Sequence, residues 1–280
     1  MNIALVTDST ADLPVDIAGQ YQIHIVPNLV IIDGQTLADG KDISRDEFYR
    51  RLPEMKTPPT TGTASSGAYQ QLYLDLLENG ADHVVSIHAS SQLSGIFNAA
   101  HTAAQEFPER VHVQDSQNVS MGLGFQVLAA AEAIARQATL SEVLSVVALI
   151  RSRVRLIAML DTLEYVRRSG RVSWARARIG GLLQVKPFIE VREGGRVNSL
   201  GEARTRGRGI ARLKELLLGL GDLERLAILH TNAEADARQF LYDLKIRLPV
   251  EPLIVNVTTV IGTHVGPNGL GFATVVKHGE

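Results

Sequence analysis

The chain has 280 residues, 28 of them basic and 30 acidic, a formal net charge of −2 and no cysteine. That length suits two modest domains, the charge balance gives no global attraction to nucleic acid or anionic membrane, and disulfides, thiolate metal sites and iron–sulfur clusters are excluded. No stretch approaches the ~18 uninterrupted apolar residues of a membrane span, and the opening Met1-Asn2-Ile3-Ala4-Leu5-Val6 lacks a basic start and a long apolar run, so a soluble cytoplasmic protein is expected.

Ile3 to Val6 reads as a short strand, and Asp8-Ser9-Thr10-Ala11-Asp12-Leu13-Pro14 after it carries cap and proline signals for a helix start. A second strand is predicted over Ile23 to Ile32, with Asp33-Gly34 as a hairpin turn. Ser44 and Glu47 fit a capping box. Tyr69, Leu72, Tyr73, Leu76 and Leu77 follow helical spacing, then Val84 to Ile87 is a buried strand. Ile96, Ala99, Ala100, Ala103 and Ala104 mark another helix, Val111 to Val113 a strand, and Val127, Leu128, Ala131, Ile134 and Ala135 a further helix. Alternating strands and helices predict a mostly parallel sheet with helices on both faces.

Beyond residue 155 the pattern changes. Leu156 to Leu160 is a predicted strand, and Lys186 to Leu200 a hairpin around Glu193-Gly194-Gly195. Strands are expected at Leu226 to Leu229, Leu253 to Val260 and Phe272 to Val276, with helices at Ile210 to Leu218 and Ala233 to Ile246. The fold class is therefore α/β: an N-terminal, mostly parallel three-layer α/β/α domain over 1–155, and a C-terminal α/β sandwich with a largely antiparallel sheet over 156–280.

Three small hydroxyl-rich segments sit at element junctions: Thr57-Pro58-Pro59-Thr60-Thr61-Gly62-Thr63, Ser90-Ser91-Gln92-Leu93-Ser94-Gly95 and Thr263-His264-Val265-Gly266-Pro267-Asn268-Gly269. Uncharged hydroxyls that converge can orient a carboxylate or phosphate without gripping it. The second follows a buried strand and opens a helix, where free amides and the helix dipole favour an anion near Ser94 and Gly95; simple helix capping explains the same serines equally well. The prolines stiffen the first loop, which also fits an ordinary strand-to-helix connection. His264, in a Gly/Pro-bracketed turn, suits an anion contact, a base or a plain surface turn.

Enzyme motifs fail. Gly122-Leu123-Gly124 has Val127 at the third glycine position, and there is no Walker loop, His-Glu-x-x-His or Gly-x-Ser-x-Gly. Arginines cluster at Arg167, Arg168, Arg171, Arg176 and Arg178, and at Arg204, Arg206, Arg208 and Arg212. Without interleaved aromatics or a helix-turn-helix pattern, nucleic-acid binding ranks lowest for them, below a solvated face, a protein docking surface or a phosphate clamp.

End to end the chain resembles the DegV family of bacterial fatty-acid-binding proteins. The resemblance rests on Val6 to Pro14, Pro59-Thr60-Thr61, Ser90 to Gly95, Asp115-Ser116, Leu160 to Tyr165, Arg168-Ser169-Gly170-Arg171-Val172, Lys186-Pro187 and Thr263 to Pro267, in that order and spacing. It implies a long-chain fatty acid such as palmitate, with no cofactor and no metal, buried between or within two α/β domains. Its carboxylate would be held by Thr61 and Ser94, with His264 close by and Thr60 and Gly95 beside them. It further implies a carrier, not an enzyme, which presents the acid to the catalytic subunit of an ATP-dependent fatty-acid kinase for acyl-phosphate formation. Arg171 and Arg204 would face that partner or the transferred phosphate, and any membrane contact would be transient. The chain departs from the family pattern at Gly62-Thr63, Ile96, Val265 and Asn268; loss of hydroxyls at 96 and 265 is expected to thin the polar network or shift the chain preference, while Thr61, Ser94 and His264 are kept. The alternative is a small-molecule phosphotransferase component resembling the substrate-binding domain of dihydroxyacetone kinases, using His264.

Overall fold

The computed structural model describes residues 1–170, 185–191 and 194–277. In chain order, β1 (Ile3–Asp8), α1 (Val15–Gln20), β2 (His24–Val26), β3 (Leu29–Ile32), β4 (Gln35–Ala38), α2 (Arg45–Arg51) and β5 (Thr60–Gly62) precede α3 (Ser66–Glu78) and β6 (His83–His88). Next come α4 (Ile96–Ala104), β7 (Val111–Asp115), α5 (Met121–Ala135), α6 (Leu140–Arg153), β8 (Val154–Met159) and α7 (Glu164–Ser169). The last described stretch holds β9 (Lys186–Val191), β10 (Val197–Ala203), α8 (Arg206–Leu218), β11 (Leu223–His230), α9 (Glu234–Leu244), β12 (Leu253–Asn256), α10 (Thr259–Val265) and β13 (Leu270–Val276).

The expected fold class is present. A parallel sheet runs β2-β1-β6-β7, and a six-stranded sheet runs β10-β9-β8-β13-β11-β12, antiparallel except for the β11–β12 pair. A third sheet, β4-β3-β5, is antiparallel; the sequence predicts its β3–β4 hairpin but not the pairing of β5.

Helix α5 lies between the two larger sheets, packing on β1 and β6 on one side and on β8, β11 and β13 on the other. Its sequence, rich in alanine and glycine, is buried nearly all round, as expected of a helix that is apolar on every face. Gly124 lets the turn after β1 approach, since a Cβ there would lie 2.6 Å from the Ala11 carbonyl oxygen. Strand alternation divides the six-stranded sheet between two cores. Leu156, Val191, Ala227 and Leu229 join the core around α5, whereas Ile157, Met159, Phe188 and Ile228 pack under α8 and α9.

Three local expectations need correction. The strand expected over 23–32 breaks into β2 and β3, which belong to different sheets. Pro27 removes a ladder donor, and Asn28 is drawn off by Asp8 Oδ1 (3.0 Å from Nδ2) and Ser9 Oγ (3.1 Å from its N–H). The segment 57–63 is not all loop, because Thr60–Gly62 pairs with β3. The strand expected over 253–260 ends at Asn256, and Thr259 opens α10 with Thr258 as its cap. His264 therefore sits in the last helical turn and not in a loop. The Asp33-Gly34 turn is as expected, with φ of 49° and 81° joining β3 to β4. Ser44 accepts the Glu47 N–H at 3.2 Å, as its cap signal implies. Among the described residues no helix is long and apolar enough to cross a membrane.

Candidate functional site

The carboxyl ends of the parallel strands converge on a cavity of about 200 Å³, where open α/β sheets hold ligands. The turn after β1 supplies Thr10, the segment after β6 supplies Ala89 and Ser94, and the segment after β7 supplies Val119 and Ser120. Opposite them stands the inner face of the six-stranded sheet, with Leu156, Ala158, Ile189, Val191 and Leu229. Helix α10 contributes Val260, Ile261 and His264. The walls are thus aliphatic, with hydroxyls and histidine at a few points.

A second, more polar cavity of about 460 Å³ adjoins it, lined by Lys56, Pro58, Thr60, Glu164, Tyr165 and Arg168 among others. Thr61, Ser169 and His264 line both. At that seam Thr61 Oγ1 and His264 Nε2 are hydrogen-bonded at 2.9 Å, joining residues 203 positions apart. The imidazole tautomer decides which of them donates.

The other predicted residues distribute unevenly. Ser94 lines the apolar cavity, its Oγ accepting the Ile96 N–H at 3.3 Å. Gly95 is the exposed cap residue of α4 and also lines it. Thr60 is exposed and lines only the polar mouth. Arg204 is exposed beyond β10 and lines neither. Arg171 lies outside the described residues. No group of three or more His, Cys, Asp or Glu able to hold a metal occurs among the described residues.

Sequence reasoning missed two buried carboxylates that shape this site. Asp8 accepts hydrogen bonds from the Thr10 N–H and hydroxyl, from Asn28 and, at 3.2 Å, from the Ala89 N–H. Its Oδ2 also lies 3.0 Å from His88 Nδ1, and His88 Nε2 continues to Ser86 Oγ at 2.6 Å and so to Tyr73 at 2.8 Å. Burial pushes its pKa up, but the His88 bond and charge with the other donors outweigh that and hold it below the ordinary carboxylate value. Asp12, four residues on, goes the other way. Burial raises it to about 6, only partly offset by Arg45, Ser120 and Thr258. Ser120, with φ 53° and ψ −148°, occupies a backbone region that favours glycine; its hydroxyl donates to Asp12 Oδ2 at 2.5 Å. The legible signal was only the helix-start pattern of Asp8 to Pro14, which conceals how far these side chains reach.

His230, also missed, lines the apolar cavity. Burial lowers its pKa, and Nδ1 accepts the Ala233 N–H at 3.2 Å, so a neutral imidazole faces the cavity.

A largely aliphatic cavity with a few uncharged polar groups, joined at one seam to a polar one, sits at the strand ends of this α/β fold, where such proteins hold small ligands. The DegV family model matches residues 2–277, and the chain belongs to that family. A DegV domain-containing protein of Streptomyces coelicolor is 35% identical over 274 residues, which span 96% of this chain and 97% of that one. A fatty-acid-binding DegV family protein from Thermus thermophilus superposes with a TM-score of 0.90 at 34% identity, over 99% of this chain and 100% of the other. DegV of Bacillus subtilis, a fatty-acid-binding protein, superposes with a TM-score of 0.88 at 33% identity, with the same coverage.

Proposed function

We propose that this protein is a cytoplasmic carrier for a long-chain fatty acid such as palmitate. The acyl chain occupies the aliphatic cavity, and the carboxylate lies at Thr61, His264 and Ser94, beside Thr60 and Gly95. The observation that carries this reading is the Thr61–His264 pair, set where the apolar cavity meets the polar mouth. The fatty-acid binding of the Thermus and Bacillus relatives supports it.

Energetics agree with that division of labour. Burying an acyl chain yields ~0.8 kcal/mol per methylene, on the order of 10 kcal/mol for about sixteen carbons before ordering costs. The head-group contacts then need only orient the acid and satisfy its oxygens. Hydroxyls and one imidazole suit a carboxylate that must be handed on, whereas a bidentate arginine would hold it fast.

The acid is presented at the mouth to an ATP-dependent kinase acting in trans, which forms the acyl phosphate. Lys56 and Arg168 flank that opening and attract an incoming phosphate. Arg204, and Arg171 beyond the described residues, serve as partner or phosphate contacts. The carrier itself performs no chemistry and needs no cofactor.

Mass spectrometry of the purified protein, native and then denatured, tests the ligand. A stoichiometric C14–C18 acid is expected, and a chain that is empty and takes up no added fatty acid refutes the reading. The double substitution Thr61→Ala with Ser94→Ala tests the head-group assignment. It should weaken lipid retention or slow phosphorylation with the fold intact; unchanged retention and phosphorylation would sink the assignment.

A further inference from the structure

Helix α10, which carries His264, has seven residues. Five of them, Thr259, Val260, Ile261, Thr263 and Val265, are β-branched, and such a short helix is unstable alone. Its position must come from outside. The segment leading into it is held by side chains from the first fifty residues. Arg45 donates to the Asn256 carbonyl, Asp46 accepts from the Asn256 amide at 3.2 Å, and the Tyr49 hydroxyl donates to the carbonyls of Val257 (3.0 Å) and Thr258 (3.3 Å). Tyr49 reaches that far because residue 262 is glycine; a Cβ there would overlap its hydroxyl.

Two buried carboxylates complete the grip. Asp12 Oδ1 accepts the Thr258 N–H at 2.8 Å and lies 3.4 Å from the Arg45 guanidinium. Asp39 Oδ1 accepts both the Thr259 N–H at 3.2 Å and the Thr259 hydroxyl at 2.7 Å. Asp39 directly follows β4, and its N–H bonds the Asn28 carbonyl, just before β3. Thr61 lies on β5, paired with Val30 of β3. One small sheet therefore meets α10 twice, through Asp39 at its first residue and through Thr61 at His264 in its last turn. A helix transmits position between those points, about 7.5 Å apart along its axis.

We propose that Asp39, with Asp12, is a positioning residue for the head-group site: it fixes the start of α10 to the sheet that bears Thr61 and so sets His264 against Thr61. This rests on the carrier reading for its ligand, but the geometric claim can be read without one. A general loosening of the protein would release any long-chain ligand, whereas loss of this positioning affects a ligand with a carboxylate and spares one without.

The test compares dissociation of palmitate and of hexadecanol, with the His264 imidazole followed by NMR, in wild type, Asp39→Ala, Asp39→Asn and Thr259→Val. Asparagine keeps an acceptor oxygen for Thr259, and alanine does not. Asp39→Ala should release palmitate about tenfold faster, the size of one lost hydrogen-bonded contact, with hexadecanol within about twofold. Asp39→Asn should restore both palmitate retention and the His264 signal. Thr259→Val, which removes only the hydroxyl, gives a smaller change in the same direction and serves if Asp39→Ala does not fold. Equal acceleration of both ligands, or an unmoved His264 signal, overturns the proposal. If wild type retains neither ligand, the carrier reading falls; the His264 signal then decides alone, and a shift in Asp39→Ala reversed in Asp39→Asn upholds the positioning role.

Discussion

The aliphatic cavity and the polar mouth meet at three residues, and they are built by opposite means. The cavity comes from the carboxyl ends of the parallel strands and the alternating inner residues of the six-stranded sheet, elements set by periodicity within ten or fifteen neighbours. The mouth comes from a proline-stiffened segment, a short edge strand and two short helices. Burial of an acyl chain is strong and without direction, so many aliphatic linings would serve the cavity equally. Orientation of a carboxylate depends on a few hydrogen bonds whose angles must be right, so the mouth depends on particular residues. On the proposed carrier function, affinity and presentation are separable, and substitutions on each side should separate them.

The largest effect belongs to the cavity wall. Ile189 is 7% exposed on the inner face of β9. Ile189→Asp sets an unpaired carboxylate there, which costs several kcal/mol. Titration with a fluorescent fatty acid should show affinity lower by about 100-fold or more. Retained affinity would mean that the acyl chain lies elsewhere.

At the joint between the two regions the expected effect is on stability. Folding raises Asp12 from 3.8 to about 6, so between those values the folded chain binds a proton that the unfolded chain does not. Its destabilising contribution is absent below about pH 4 and complete above about pH 6, reaching about 3 kcal/mol. Urea unfolding at pH 4.5 and 7.5 should therefore show wild type losing stability relative to Asp12→Asn as pH rises. Asp8 has the opposite sign: its lowered pKa supports the fold above the ordinary carboxylate range, and that support is lost on acidification. A gap between Asp12→Asn and wild type that does not change with pH would show that Asp12 stays ionised throughout.

Smaller effects are expected at the mouth. Thr61→Val keeps the shape and removes the hydroxyl bonded to His264; palmitate should dissociate about five- to tenfold faster, measured by transfer to acceptor vesicles. Smallest of all, Lys56→Ala with Arg168→Ala should leave palmitate retention unchanged and slow phosphoryl transfer by a kinase partner about two- to fivefold, with the difference shrinking in high salt. A retention defect in that double variant would move the head group outward into the mouth.

What the amino-acid sequence determined by itself is the layered α/β fold and most of its elements, because each rests on a local period or a local turn. The Asp33-Gly34 hairpin, the Ser44 cap, the helix over 66–78 and the glycine turn between β9 and β10 are all of this kind. The candidate residues Thr61, Ser94 and His264 were legible as small hydroxyl-rich segments, and the family resemblance tied them together.

Only the tertiary structure decided how they meet. Thr259-Val260-Ile261 has the composition of a strand, yet it is helical where Asp12 takes up the Thr258 N–H and Asp39 the Thr259 N–H. Thr60–Gly62 is too short, and too close to Pro58-Pro59, to read as a strand, and it pairs because β3 offers it an edge. Asp12 resembles a cap in the sequence and instead reaches Thr258, 246 positions away. The physical reason is common to all three. Periodicity records which side of an element is apolar, whereas a hydrogen bond between distant residues leaves no local period, and its partner is chosen only when the sheets have packed.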